Sequence, residues 1–194
     1  MTDAPYLHLQ TVVPVGGARF GRLEGFRRKY KLMRGREVAD EFPADASFQM
    51  NRDFPDDLGL EDAAFNLSNQ LVVSERLRAF LEAREVSGVE FLPVTMLDHK
   101  GRSVKADYVI ANLLTHVDCV DKEATTHEWN PLNENAMVGV RNLTVDPERI
   151  PDDVQLFRLE HVAGVIGVRR DLAEALEAEG FTGLAFSDFA DYTN

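Results

Sequence analysis

The chain has 194 residues, of which 44% are hydrophobic, and a formal net charge of −12 from 33 acidic and 21 basic residues. Its length and hydrophobic content suffice for a packed core, which excludes a wholly disordered chain. The acidic balance argues against nonspecific binding to nucleic acid or to an anionic membrane. No apolar run reaches the roughly 18 residues of a membrane helix, and no secretory signal is visible, so we expect a cytoplasmic protein.

The first predicted element is a strand over residues 6–15, where apolar and polar residues alternate. A basic tract follows over residues 19–36, and an acidic tract over residues 37–68. A basic tract can indicate nucleic-acid binding, but the neighbouring acids favour a solvated surface whose charges are partly neutralised locally. Few periodic apolar positions occur in residues 40–68, which predicts a long surface segment with one short helix near residues 60–65.

One short phrase occurs twice, as "LEAREVSGVEF" ending at Phe91 and as "LEAEGFTGLAF" ending at Phe186. In each copy an apolar strand precedes a helix with an apolar stripe at i, i+3 and i+4. A glycine then allows a turn with positive φ or a close helix–strand approach, and the chain returns to a sheet. The repeat therefore predicts two similar strand–helix–strand units.

Several residues of the two copies have predicted structural roles. Ser74 is a candidate N-cap of the first helix, and Gly88 and Gly183 are the turn glycines. The apolar residues expected in the core are Leu77, Leu81, Phe91, Leu172, Leu176 and Phe186.

Between the copies the sequence indicates further strands. "VEFLPVTML" and "ADYVIANLLTHV" flank the hairpin signal "DHKGR". "MVGVRNLTV" and "VQLFRL" follow, separated by a turn-rich link. Together with the repeat, these segments predict one α+β domain over residues 1–194, built on a mixed or antiparallel sheet.

The sequence contains no nucleotide-binding glycine motif, no serine-hydrolase motif and no zinc-protease motif. One segment, residues 115–129, is rich in polar side chains that could bind a metal, namely His116, Asp118, Asp121, Glu123 and His127. The two histidines are eleven residues apart without regular spacing, which favours a polar strand end with capped turns. We predict no catalytic residue, metal or cofactor, with a metal-dependent hydrolase as the alternative.

The only cysteine, Cys119, lies in the same segment, between Asp118 and Asp121. Neighbouring carboxylates disfavour a thiolate, so a small buried core thiol is expected rather than a nucleophile. A lone cysteine also excludes a disulfide within the chain.

Four segments follow one another in the sequence: "LVVSERLRAFLEAREVSGVEFLPV", "VDCVDKE", "LTVDPERIPDDVQLFRL" and "TGLAF". Over about residues 30–190 their order resembles a bacterial polymorphic-toxin immunity family that was formerly a domain of unknown function. Ala124 departs from the family pattern, which has serine after "VDCVDKE". The resemblance implies a small cytoplasmic protein that neutralises a cognate toxin, in some cases a nuclease, encoded by a neighbouring gene. It transfers no contact residue.

Acidic residues near the C-terminus are candidates for binding that partner. Three of them lie at i, i+3 and i+6 on the second predicted helix, beside its apolar stripe, and a basic toxin surface would complement them. We expect contact neither with nucleic acid nor with a membrane, and a non-catalytic adaptor is a further alternative. The candidate partner-binding residues are Asp171, Glu174, Glu177, Asp188 and Asp191.

Overall fold

The computed structural model describes residues 4–193, which form twelve strands and three α-helices. The strands are β1 (Tyr6–Thr11), β2 (Ser47–Gln49), β3 (Ala63–Ala64), β4 (Val72–Ser74), β5 (Val89–Leu97), β6 (Tyr108–Leu113), β7 (His116–Val117), β8 (Thr126–Asn130), β9 (Asn133–Arg141), β10 (Leu156–Leu159), β11 (Ile166–Arg169) and β12 (Leu184–Ser187). The helices are α1 (Lys29–Met33), α2 (Glu75–Ala83) and α3 (Arg170–Ala178). The predicted α+β class is confirmed.

The described residues divide into two compact units. The central unit contains residues 11–114 and 180–185, and the terminal unit contains residues 4–10, 115–179 and 186–193. The central sheet has the order β2-β5-β6-β4-β3, and only its β2–β5 pair is parallel. The terminal unit has a sheet in the order β12-β1-β11-β10-β7 and a separate β8–β9 hairpin. The prediction of mixed and antiparallel sheets is confirmed, whereas one domain over the whole chain stays a prediction.

The first copy of the repeat folds as predicted, as β4, α2 and β5. The Ser74 hydroxyl accepts a hydrogen bond from the backbone N–H of Leu77 at 3.2 Å, so Ser74 is the N-cap of α2. Leu77 and Leu81 are buried on one face of the helix. Gly88 has a φ of 70°, in the left-handed region that favours glycine.

The second copy also folds as predicted, as β11, α3 and β12. Leu172 and Leu176 are buried on one face of α3. Gly183 has a φ of 78°, and a Cβ atom added there would lie 2.2 Å from the carbonyl oxygen of Ala63. Gly183 therefore serves both predicted purposes, a left-handed turn and a close approach of two backbone segments.

The core prediction is wrong for the two phenylalanines that close the copies. Phe91 and Phe186 are half-buried, whereas the four leucines are buried. The Phe91 ring is partly covered by the guanidinium of Arg78, whose central carbon lies 5.5 Å from the ring centroid. Phe186 is on β12, an edge strand of its sheet, where one side has no neighbouring strand.

The prediction for residues 40–68 is also wrong. No helix forms near residues 60–65, and the segment instead supplies β2 and β3. Phe48 is completely buried, and β2 pairs with β5 so that Phe48 lies opposite Met96. Strands of two or three residues are too short to show an alternating pattern, so their place in the core depends on partners distant in sequence.

The basic tract has a buried component that its charges conceal. Phe20, Leu23, Phe26 and Leu32 belong to the core of the central unit. The Lys and Arg residues between them are mostly exposed, as expected for a solvated surface. The tract is therefore an amphipathic segment that covers the core, and its charge alone is a poor guide to its role.

Cys119 is a buried core thiol, as predicted. It packs with Val120, Val140 and Phe157 in the core of the terminal unit. Burial raises the pKa of the Cys119 thiol to about 12, and the carboxylate of Asp118 acts in the same direction. At neutral pH the group is a protonated thiol without nucleophilic character.

His8 on β1 is a buried histidine held in its neutral form. Its ring stacks on Phe189, with centroids 6.2 Å apart, and meets Tyr192 edge-on at 5.3 Å. The Gln10 side-chain amide lies 3.1 Å from His8 Nδ1, placed to donate to a neutral ring. Burial lowers the pKa of His8 from 6.5 to about 4, because the charged imidazolium would lose its hydration.

Stability should therefore depend on the protonation of His8. Between pH 6.5 and 4 the unfolded chain binds a proton that the folded chain excludes, so this contribution is complete above about pH 6.5 and is lost as the pH falls. The shift corresponds to about 3 kcal/mol in total. We expect His8→Phe, which keeps an aromatic ring but cannot titrate, to lose less unfolding free energy than the wild type between pH 7 and pH 4.5. Denaturant unfolding at the two pH values measures this, and parallel losses would contradict it.

Candidate partner-binding surface

The polar segment from His116 to His127 does not assemble a metal site. His116 is exposed at the start of β7, whereas His127 Nδ1 lies 2.9 Å from the carbonyl oxygen of Thr125. The Asp121 carboxylate accepts hydrogen bonds from two successive backbone N–H groups, both at 3.0 Å, which lower its pKa. Within residues 4–193 no group of three or more His, Cys, Asp or Glu side chains could hold a metal ion. The predicted capped turn is what the segment forms.

His161 contacts both Asp118 and Trp129, an arrangement that the sequence does not reveal. His161 Nε2 lies 3.4 Å from the Asp118 carboxylate, and Lys122 Nζ lies 3.1 Å from it. Partial burial opposes ionisation of Asp118, but the hydrogen bond and charge of Lys122, with a smaller effect of His161, lower its pKa overall. The Trp129 ring meets the rings of His127 and His161 edge-on, at 5.1 and 5.7 Å. The cluster joins β8 to the residues after β10 and has a structural role.

The predicted partner-binding acids of α3 are exposed, but they are not equally available. Arg169 forms a two-pronged ion pair with Asp171, at 2.7 and 2.9 Å. Arg170 Nη1 lies 4.0 Å from the Glu174 carboxylate, a long and therefore weak ion pair at an exposed acid. No ion pair involves Glu177 within the described part of the chain. Of the predicted stripe, Glu174 and Glu177 therefore present the most accessible negative charge.

The remaining two predicted acids lie at the two ends of a short 3-10 helix, Phe189–Asp191: Asp188 precedes it and Asp191 is its last residue. Asp191 is exposed, whereas Asp188 is half-buried and lines a cavity of about 280 Å³ together with Tyr6, Leu143 and Phe189. The cavity is mainly apolar, and Asp188 lies in its wall instead of on an open acidic surface. The structure thus brings Asp188 and Asp191 to the same short element but does not present both to solvent.

A second exposed surface, in the central unit, was not predicted as a binding site. Residues 52–60 form a loop that is exposed at every position except Asp57. Three of its exposed residues are large and apolar, Phe54, Leu58 and Leu60, and the loop also contains three acidic residues, Asp53, Asp56 and Asp57. The mixture of apolar and acidic residues in this loop is the sequence feature that could have indicated a binding site. The prediction of a surface segment rested only on the lack of periodic apolar positions.

Comparison with known proteins shows which protein family the chain matches. Residues 19–191 match the model of a family described as an immunity protein family, Imm11. No curated protein matches the chain. The match covers nearly all of the described residues, including both copies of the repeat, the α3 acids and the loop of residues 52–60. None of the α-helices among residues 4–193 is long and apolar enough to cross a membrane.

Proposed function

The chain belongs to the Imm11 immunity protein family, and from this premise we propose that it binds a cognate toxin and neutralises it by stoichiometric blocking. The single observation that carries the proposal is the family match over residues 19–191. We propose further that the toxin is part of a polymorphic toxin system, that it is encoded beside this chain, and that the two meet in the cytoplasm. Inhibition of this kind requires a complementary surface and no catalytic group.

The charge of the chain suits a basic target. A nuclease toxin must present Lys and Arg to the phosphates of its substrate. A protein with a net charge of −12 can cover that surface and associate quickly through electrostatic steering. A stable complex of this type buries on the order of 1,600 Å² in total.

We assign the acids of α3 to the rim of this interface. Rim charges change the association rate and its dependence on salt more than the dissociation rate. Asp171 is already neutralised by Arg169, so Glu174 and Glu177 carry the effect, with Asp191 as a further exposed charge. Asp188 belongs to the same predicted set, at the edge of the cavity beside the short helix.

Glu174→Lys with Glu177→Lys should slow association with the toxin by about tenfold at low salt and flatten the dependence of the rate on ionic strength. Glu123→Lys with Glu134→Lys is the matched control, because it changes the net charge equally at two other exposed positions of the terminal unit. Stopped-flow or surface plasmon resonance kinetics measure both variants. Equal slowing in the two double variants would assign the effect to net charge and contradict a contact at α3.

The direct test of the proposed function is co-expression. We expect cells that produce the neighbouring toxin to survive only when this chain is present, and the two proteins to co-purify as a complex. An adaptor without a toxin partner predicts neither result. The metal-dependent hydrolase gains no support from the positions of His116 and His127, and replacing both by alanine should leave neutralisation intact.

A further inference from the structure

We propose that residues 52–60, which we call the acidic–apolar loop, anchor the toxin through apolar contacts surrounded by negative charge. This rests on the proposed immunity function and adds to it the contact surface. It also assigns the chemistry of the partner surface, which must combine apolar side chains with Lys or Arg. The apolar side chains of the acidic–apolar loop govern the lifetime of the complex, and its acidic residues add to the rate of encounter.

The first observation is a concentration of exposed apolar side chains. The relative exposures are 40% for Phe54, 58% for Leu58, 40% for Leu60 and 108% for Val15. Single exposed apolar residues are normal, but several on adjoining backbone mark an interaction site. Gly59, in the acidic–apolar loop, connects this loop to the segment of residues 15–18.

Gly59 hydrogen-bonds to the segment that carries Val15. Its N–H donates to the carbonyl oxygen of Gly16 at 2.8 Å, and its carbonyl oxygen accepts from the N–H of Ala18 at 2.7 Å. Leu58 and Leu60 flank Gly59, and Val15 precedes Gly16. The exposed side chains of Val15, Leu58 and Leu60 therefore lie on two backbone segments that are hydrogen-bonded to each other.

The second observation is that the acidic–apolar loop is ordered by its own contacts. The Arg19 guanidinium lies over the Phe54 ring, 4.5 Å from its centroid, and its Nε lies 3.3 Å from the Asp57 carboxylate. The Asn51 side-chain oxygen accepts a hydrogen bond from the N–H of Asp53 at 3.0 Å. A loop held in place before binding loses less conformational entropy in the complex, which favours affinity.

The third observation is the charge around the apolar side chains. Within residues 4–193, the exposed residues Asp53 and Asp56 form no ion pair, so their charges are open to a partner. With Asp57 they give the loop three acids against one base, Arg52. A basic partner would neutralise them, whereas an acidic partner would be repelled. The other exposed apolar pair of the central unit, Tyr30 and Met33 on α1, is flanked by Lys and Arg and suits the opposite chemistry.

Two variants test the proposal. Leu58→Ala with Leu60→Ala should raise the dissociation rate of the toxin complex at least about tenfold, since buried apolar anchors hold an interface together. Asp53→Lys with Asp56→Lys should instead lower the association rate and flatten its salt dependence. The control for the first variant is Tyr30→Ala with Met33→Ala, which removes exposed apolar groups elsewhere in the central unit. Association and dissociation rates with the cognate toxin are measured for every variant.

Thermal unfolding first shows that each variant is folded, which exposed substitutions should permit. A folded leucine double variant whose dissociation rate stays within twofold of the wild type would overturn the proposal. So would a larger loss of toxin binding in the Tyr30–Met33 control. If the leucine variant only abolished self-association of the chain, the acidic–apolar loop would be a surface between copies, and the proposal would be wrong. A wild-type chain that fails to bind the toxin at all contradicts the proposed function itself.

Discussion

Gly183→Ala should lower the free energy of unfolding by roughly 2–6 kcal/mol, because the added methyl group meets both backbone strain and a steric clash. At a φ of 78°, an alanine is strained. Its Cβ would also lie 2.2 Å from the carbonyl oxygen of Ala63, and backbone cannot move aside as a flexible side chain can. A hydrogen bond holds the two backbone segments together beside this clash, because the N–H of Ala63 donates to the carbonyl oxygen of Thr182 at 3.0 Å.

Gly180→Ala is the matched control for this prediction. Gly180 also has a positive φ, of 68°, but no atom outside its chain neighbours lies within 4 Å of an added Cβ. Gly180→Ala should therefore lower the free energy of unfolding through conformational strain alone, by about 1–3 kcal/mol. Denaturant unfolding followed by circular dichroism compares the two variants. If Gly183→Ala costs no more than Gly180→Ala, the close approach of the two backbone segments is not as described.

Leu81→Ala and Leu176→Ala should each lower the free energy of unfolding by about 2–5 kcal/mol, because each removes a buried side chain and leaves a cavity. Leu81 is on the inner face of α2 and Leu176 occupies the matching position of α3, with relative exposures of 2% for both. Similar losses at the two positions would support the interpretation of the repeat as one packing arrangement used twice.

Each leucine has an exposed counterpart in its own unit. Leu67→Ala in the central unit and Leu132→Ala in the terminal unit should change stability by no more than about 0.5 kcal/mol. The same unfolding measurement serves for all four variants. A cost below about 1 kcal/mol at Leu81 or Leu176 would contradict the packing of that helix.

Features with a local signal could be predicted from the sequence. The positions of Leu77 and Leu172 follow from helical periodicity, the cap at Ser74 from residue type, and the turns at Gly88 and Gly183 from their place after a helix. Each of these depends on neighbours within a few residues, so a single sequence contains the information. The exposure of the α3 acids follows from the same periodicity.

Features that depend on distant partners could not be predicted. Phe48 is buried because β2 pairs with β5, almost fifty residues later in the chain. The acidic–apolar loop is ordered by Arg19, and the ring of Trp129 meets His161. The lack of periodic apolar positions predicted residues 52–60 as surface, but only the contacts of Arg19 and Gly59 show that this loop is ordered.

If this chain inhibits a toxin by binding it in a one-to-one complex, a titration of toxin activity with the chain tests this most directly. Purified toxin is mixed with increasing amounts of the chain, and the residual toxin activity is measured after different incubation times. We predict a linear loss of activity that is complete at one equivalent and does not change with time. Activity that persists at excess protein, or inactivation by far less than one equivalent that progresses with time, would contradict the account, because the second result indicates catalysis.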